Sequence, residues 1–267
     1  MTVLMPSTVS AAPECRLLEE DPDLAESLTD ARRVLATERC VARTLRVPRG
    51  RWAIPIAMHL SDGIGLLVLE GLLLRRVGVD GRFGAEIIGE GDLLRPHYGA
   101  PPTSSLSVTA GWRVLVPLRL AVLDVDAARR LAEFPELTGT FVDRALDRTR
   151  NLEILMAIVH HARVNVRVHM LLWHLADRWG RVRSEGVILP LSITHSVLAD
   201  MVAARRPTVT SALSELARID LVRPVDGGWL LRGERPGELL ELAAPDLTDD
   251  APASGIPGAP TPPRPAA

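Results

Sequence analysis

Apolar and polar positions along the chain change rhythm several times. Residues 1–15 carry Pro, Ser, Thr and Ala without a period and are expected to form a disordered tail. Over residues 23–36, Leu24, Leu28, Ala31 and Leu35 fall at helical spacing and predict a short amphipathic helix. From residue 41 to 125 short apolar runs alternate with turn signals: Pro48-Arg49-Gly50, Ser61-Asp62-Gly63, Glu70-Gly71, Asp80-Gly81 and Gly89-Glu90-Gly91-Asp92. Turns every 8–12 residues or so predict an antiparallel β-roll or barrel. The clearest strands are expected at 65–69, 72–79, 82–88, 113–116 and 118–125, and Pro101 and Pro102 make 97–107 a loop.

Helical spacing returns at Asp126. A short helix over 127–134 should stop near Pro135, and a long one should follow over 136–160. Its Leu137, Phe141, Ala145, Leu152, Leu155 and Val159 make a narrow seam, interrupted by Arg148. Such a seam suits pairing with a second copy of itself, or packing back on the roll. Another amphipathic helix is expected over 164–179, closed by Gly180, then a strand near 187–191. Two short helices over 194–202 and 207–219 precede a hairpin centred on Asp226-Gly227-Gly228. The domain division that follows is a tail (1–15), an N-terminal helix and roll (16–125), a short and a long helix (126–160), a helical module with a hairpin (161–236) and an acidic, Pro-rich disordered tail (237–267).

Composition narrows the classes. Apolar residues make up 47 % of 267, which excludes global disorder. No run reaches the roughly 18 apolar residues a membrane span needs, and no signal peptide is evident, so a cytoplasmic protein with no membrane partner is expected. The 33 acids and 31 basic residues, all Arg, nearly cancel. The balance conceals a partition: residues 160–236 hold 11 Arg against 7 acids, whereas 237–267 hold 1 against 5. A locally basic helical module is the electrostatic footprint of a phosphate-binding surface. The absence of Lys is the signature of a GC-rich genome.

The segment THSVLADMVAARRPTVTSALSELARIDLVRPVDGGWLL, residues 194–231, reads as two helices and a hairpin. Thr194 suits an N-cap, Leu198, Ala199 and Val202 suit a buried side, and Ala203 and Ala204 suit a tight turn. Pro207 suits the first turn of the second helix, whose Val209, Leu213 and Leu216 should face inward. Arg205, Arg206, Thr208, Thr210 and Ser211 are left for the outer, N-terminal surface, the end that enters a DNA major groove.

These residues resemble the winged-helix regulators of the Crp/Fnr, or catabolite activator, type. The resemblance extends more weakly upstream, over about residues 41–232. It implies an α+β fold, in which an antiparallel, cyclic-nucleotide-binding-like β-roll is followed by a long dimerisation helix and a C-terminal winged helix-turn-helix. It implies a homodimer that binds double-stranded DNA, with RNA polymerase as a further partner. The family's phosphate contacts map onto Thr194, His195, Arg205 and Thr208, and its guanine-reading Arg onto Arg206. Its next reading positions are here Pro207 and Ser211, so a different operator is expected.

In the roll the pattern departs. Gly91-Asp92 matches the turn before the family's ligand cassette, but Pro96 stands near the ribose-binding Glu position, and Ser104 or Ser105 near the phosphate-binding Arg. Without that Arg a buried phosphate loses its main charge-assisted partner, so a degenerate or non-cyclic-AMP effector domain is expected. The alternative is a ligand-gated regulator holding a cyclic nucleotide or other small effector, with Arg95, Ser104, Ser105 and Arg113 as candidate contacts. Cys15 and Cys40 are too few for a four-thiolate cluster, and nothing supports His97 as a haem ligand. His160, His161, His169 and His174 include no i, i+4 pair, so no metal site is expected. No cofactor is expected, and no catalytic arrangement is present that would make an enzyme. Trp173 and Trp179 read as core and cap, Trp229 as packed on the helices, and Trp112 as turn packing or the lining of a pocket.

Overall fold

The computed structural model describes residues 11–53, 63–95 and 105–233. Pro96, His97, Ser104, most of the expected 97–107 loop and the expected C-terminal tail lie outside the described residues.

Seven strands form one antiparallel sheet: β1 (Ala11–Arg16), β2 (Val41–Val47), β3 (Gly50–Arg51), β4 (Gly65–Val79), β5 (Arg82–Ile88), β6 (Leu93–Leu94) and β7 (Val108–Leu123). The order is β1-β2-β7-β4-β5, with β3 on β7 and β6 on β4. Residues 11–15, expected in a tail, belong to β1 and pair with β2. Two expected breaks are absent. Glu70-Gly71 is a bulge inside β4 rather than a turn, and the expected strands 113–116 and 118–125 are one strand running through Pro117. These two facts have one cause. Pro117 has no N–H for the ladder, and the β4–β7 register steps between the pairs Glu70–Arg119 and Leu72–Val116 that flank it. Gly71 has φ +96°, and a Cβ there would lie 2.2 Å from the Pro117 carbonyl oxygen, so the bulge needs glycine. Asp80-Gly81 is the two-residue hairpin loop it looks like, with φ +50° and +74°.

Strand alternation builds two cores on the two faces of the sheet. Leu66, Val68, Leu73, Leu118 and Leu120 face the roll interior with Trp52 and Trp112. Leu67, Leu69, Ala121 and Leu123 face a helical layer. That layer comprises α1 (Leu17–Glu20), a 3₁₀ turn (Pro22–Ala25), α2 (Asp30–Arg39), α3 (Val125–Leu131) and the start of α4 (Pro135–Val159). The helix expected over 23–36 is thus divided. Leu24 and Leu28 are buried before α2 begins, and Leu35 of α2 is exposed.

The expected seam of α4 is turned mostly toward its own chain. Leu137 and Phe141 are buried in the helical layer, and Leu155 packs beside the C-terminal core. Arg148, which breaks the seam, reaches Glu86 of β5. A second row, Val142, Leu146, Thr149, Glu153 and Met156, advances by alternating steps of four and three and is exposed throughout.

The C-terminal core joins α5 (Val164–Trp179), α6 (His195–Met201) and α7 (Arg206–Arg218) to a four-stranded sheet. That sheet has β8 (Arg181–Arg183), β9 (Gly186–Leu189), β10 (Val222–Val225) and β11 (Gly228–Leu231) in the order β10-β11-β9-β8. Leu74 and Ile87, on the outer face of the roll, extend this core.

Within α5, Trp173 donates its indole N–H to His169 Nε2 at 3.0 Å, which requires an unprotonated Nε2. Burial holds both His169 and His174 below the usual imidazole range, although Asp177 opposes this at His174. Their folded pKa lies below the unfolded one, so the unfolded chain takes up protons first as the pH falls below about 6.5. Stability should be fully present above that value and decline toward pH 5.5. The carboxylates Glu20, Asp124 and Asp220 are shifted downward and titrate below this window. Urea unfolding from pH 7.5 to 5.5 should show the decline, and His169→Gln/His174→Gln should flatten it. An equal slope in the double variant would place the sensitivity elsewhere.

Candidate nucleic-acid interface

The helix pair is built from caps and a sealed apolar side. Thr194 has extended backbone, and its hydroxyl accepts the Val197 N–H at 3.4 Å, closing the start of α6. Val197, Leu198, Ala199 and Met201 are buried beneath it. Ala203 takes φ +51° in the turn, where Ala204 N–H reaches Ala199 O at 3.0 Å. Helix α7 begins at Arg206, one residue before Pro207, whose missing N–H costs nothing in a first turn. Val209, Ala212, Leu213 and Leu216 are buried.

Arg205, Arg206, Thr208, Thr210 and Ser211 are all exposed at one end of α7. Among the described residues Arg205 and Arg206 make no ion pair, so both guanidiniums are free for phosphate or base oxygens. The hydroxyls are less free. Thr210 donates to Arg206 O at 3.1 Å and Ser211 to Pro207 O at 3.3 Å, the back-bonds of serine and threonine in a helix. Thr210 Oγ1 also lies within hydrogen-bond distance of His195 Nδ1, at 2.9 Å. The ring lies 6.2 Å from that of Trp229, so His195 bridges the recognition helix and the wing. That bridge has no signal in the sequence, because His195 and Thr210 are fifteen positions apart on different helices. The wing turn is held by Ser192, whose hydroxyl donates to Gly227 O at 3.2 Å. Trp229 is buried in the C-terminal core, and Trp173 likewise.

Among the described residues, the effector candidates Arg95, Ser105 and Arg113 do not converge. Arg95 follows β6, which pairs with β4 at Leu66, whereas Arg113 pairs at Leu74. Eight residues of strand separate the two, roughly 25 Å at about 3.3 Å per residue. Arg113 is exposed on the outer face, while its neighbours Trp112 and Val114 fill the roll interior. Ser105 is exposed in a bend. Adjacent strand residues point to opposite faces, so nearness in sequence to the family's cassette is not nearness to a pocket.

An antiparallel roll and a long helix thus precede a winged helix whose second helix starts with two exposed arginines. Residues 166–242 match the family model of the Crp-like helix-turn-helix domain. No curated protein matches the chain. Among solved structures, the chain is similar to a CooA mutant from Carboxydothermus hydrogenoformans, at 17 % identity and TM-score 0.59, over 88 % of this chain and 98 % of that one. A cyclic nucleotide-binding domain containing protein from Listeria monocytogenes EGD-e is 16 % identical, with TM-score 0.55 over 70 % and 87 %. FixK2 from Bradyrhizobium japonicum is 15 % identical, with TM-score 0.53 over 72 % and 93 %. At these identities the likeness establishes the fold. Residues 166–242 are thus a Crp-like helix-turn-helix domain, in a chain that shares its fold with these structures. Among the described residues no helix is long and apolar enough to cross a membrane.

Proposed function

We propose that the chain acts as a homodimer that binds a specific DNA sequence, and that its roll is a degenerate or non-cyclic-AMP effector domain. The observation carrying this reading is the exposed, unpaired start of α7 on a sealed apolar helix pair. In this reading Arg206 reads a base edge, and Thr194, His195, Arg205 and Thr208 hold backbone phosphates beside it. Thr210 and Ser211 line the same end. RNA polymerase is then a partner at the promoter.

Two copies are joined through α4 by its exposed row rather than by the seam facing the roll. Val142, Leu146 and Met156 are 53 %, 50 % and 64 % exposed, unusual for large apolar side chains in one heptad row. Leu146→Glu should therefore halve the mass measured by sedimentation equilibrium at micromolar concentration. An unchanged mass would remove this row from the interface. Selection of bound duplexes from a random pool tests the whole reading. It should return two inverted half-sites with centres about one helical turn, roughly 34 Å, apart. A single asymmetric half-site, or no enrichment, would overturn it.

A further inference from the structure

Between the outer face of the roll and the start of α6 lies a cavity of about 500 Å³. Its walls include Arg51, Arg76, Trp112 and Arg113 from the roll and Thr194 and Ser196 from the DNA-binding module. Several arginines of the roll are matched to acids. Arg119 is paired with Glu20 and Glu70, Arg75 and Arg148 with Glu86, and Arg43 with Asp124. Arg51 and Arg113 are not matched. They stand directly opposite each other on β3 and β7, both exposed, and neither has an ion pair among the described residues. Like charges facing each other across an antiparallel pair repel. The acid lining this cavity, Asp200, is already engaged by Arg76 Nε at 2.8 Å.

Two unmatched guanidiniums side by side on one wall of this space lack a common acceptor. An anion with several oxygens supplies one, and phosphate fits the guanidinium fork bidentately.

We propose that this cavity is a phosphate site shared by the roll and the DNA-binding module, with Arg51 and Arg113 as its cationic groups and the Thr194 and Ser196 hydroxyls on the facing wall. The phosphate comes either from the backbone of bound DNA or from a small phosphorylated molecule. The first source rests on the DNA-binding reading above; the second does not. Either source makes the roll part of the binding surface, and the small-molecule source bridges the two modules without using the roll interior.

The test uses the full chain and compares wild type with Arg51→Ala/Arg113→Ala, with Arg113→Gln, and with Arg129→Ala as a control on the exposed side of α3. One arm follows thermal unfolding with inorganic pyrophosphate. The other measures binding to a random-sequence duplex over a salt series. A small-molecule source predicts a pyrophosphate-dependent rise in Tm that the double variant loses and Arg113→Gln reduces. A DNA source predicts that the double variant lowers the slope of log K against log salt by about one, the release expected for one phosphate. If the double variant matches the Arg129→Ala control in both arms, the proposal is overturned. If wild type binds no DNA, the function proposed above fails, and the pyrophosphate arm alone decides the site. Arg113→Gln changes one exposed side chain, so the proposal stays testable if the double variant is unstable.

Discussion

Replacing Glu86 by alanine should lower the unfolding free energy by about 3–5 kcal/mol, the range for removing one partner of a buried ion pair. Glu86 is a shared anion. Its Oε1 receives Arg75 Nη1 at 3.0 Å and Arg148 Nη2 at 2.7 Å, and its Oε2 receives Arg148 Nε at 3.1 Å. The three side chains are only 9 %, 16 % and 20 % exposed, for Glu86, Arg75 and Arg148 in turn. Arg148 also donates to Leu93 O at 3.2 Å, so one guanidinium joins α4 to two strands of the roll. Without the carboxylate, two guanidiniums remain close together and poorly solvated. Urea denaturation at pH 7 measures the loss. A loss below about 1 kcal/mol would mean that both arginines swing into water, as exposed pairs do. Glu86→Leu combined with Arg75→Met and Arg148→Met should recover most of the stability, because a well-packed apolar replacement of a buried ionic cluster is often neutral or better.

Replacing Arg206 by alanine should reduce discrimination between the selected operator and random DNA by about 1–3 kcal/mol, the worth of one bidentate base contact. The guanidinium is exposed at the start of α7, with no ion pair among the described residues to satisfy it in the free protein. Loss should therefore appear in specific binding, with random DNA almost unchanged. Arg205→Ala should behave differently. It should weaken both duplexes alike and shallow the salt slope, because a phosphate contact carries no sequence information. Competition binding at fixed salt separates the two outcomes. An equal loss on both duplexes with Arg206→Ala would make that residue a backbone contact.

Much of the winged helix was legible in its sequence because its signals are local. Thr194 as a cap, Pro207 in a first turn and the apolar sets of α6 and α7 act within a few residues of chain, and the structure shows each of them. The roll was less legible where a local signal has two readings. Glu70-Gly71 has the chemistry of a turn, yet opposite Pro117 it becomes a bulge, because the partner strand lacks a hydrogen-bond donor there. The long helix was legible in length but not in orientation. Its sequence holds two rows at heptad spacing, and burial by the roll takes the one with Leu137 and Phe141. The effector candidates failed to converge for a similar reason. A count along the chain from the family's cassette does not say which face of β7 a side chain occupies.

The sequence by itself therefore determined the succession of roll, long helix and winged helix, the helix-turn-helix with its exposed arginine end, and the concentration of positive charge in that module. All of these rest on interactions between residues close along the chain or on simple composition. Only the tertiary structure decided which row of α4 stays exposed, that Glu86 serves two arginines from distant segments, and that Arg51 faces Arg113 without an acid between them. Each of these depends on strand register and on which faces meet, and a periodic pattern of apolar and polar residues leaves both open until the sheet and the helices have packed.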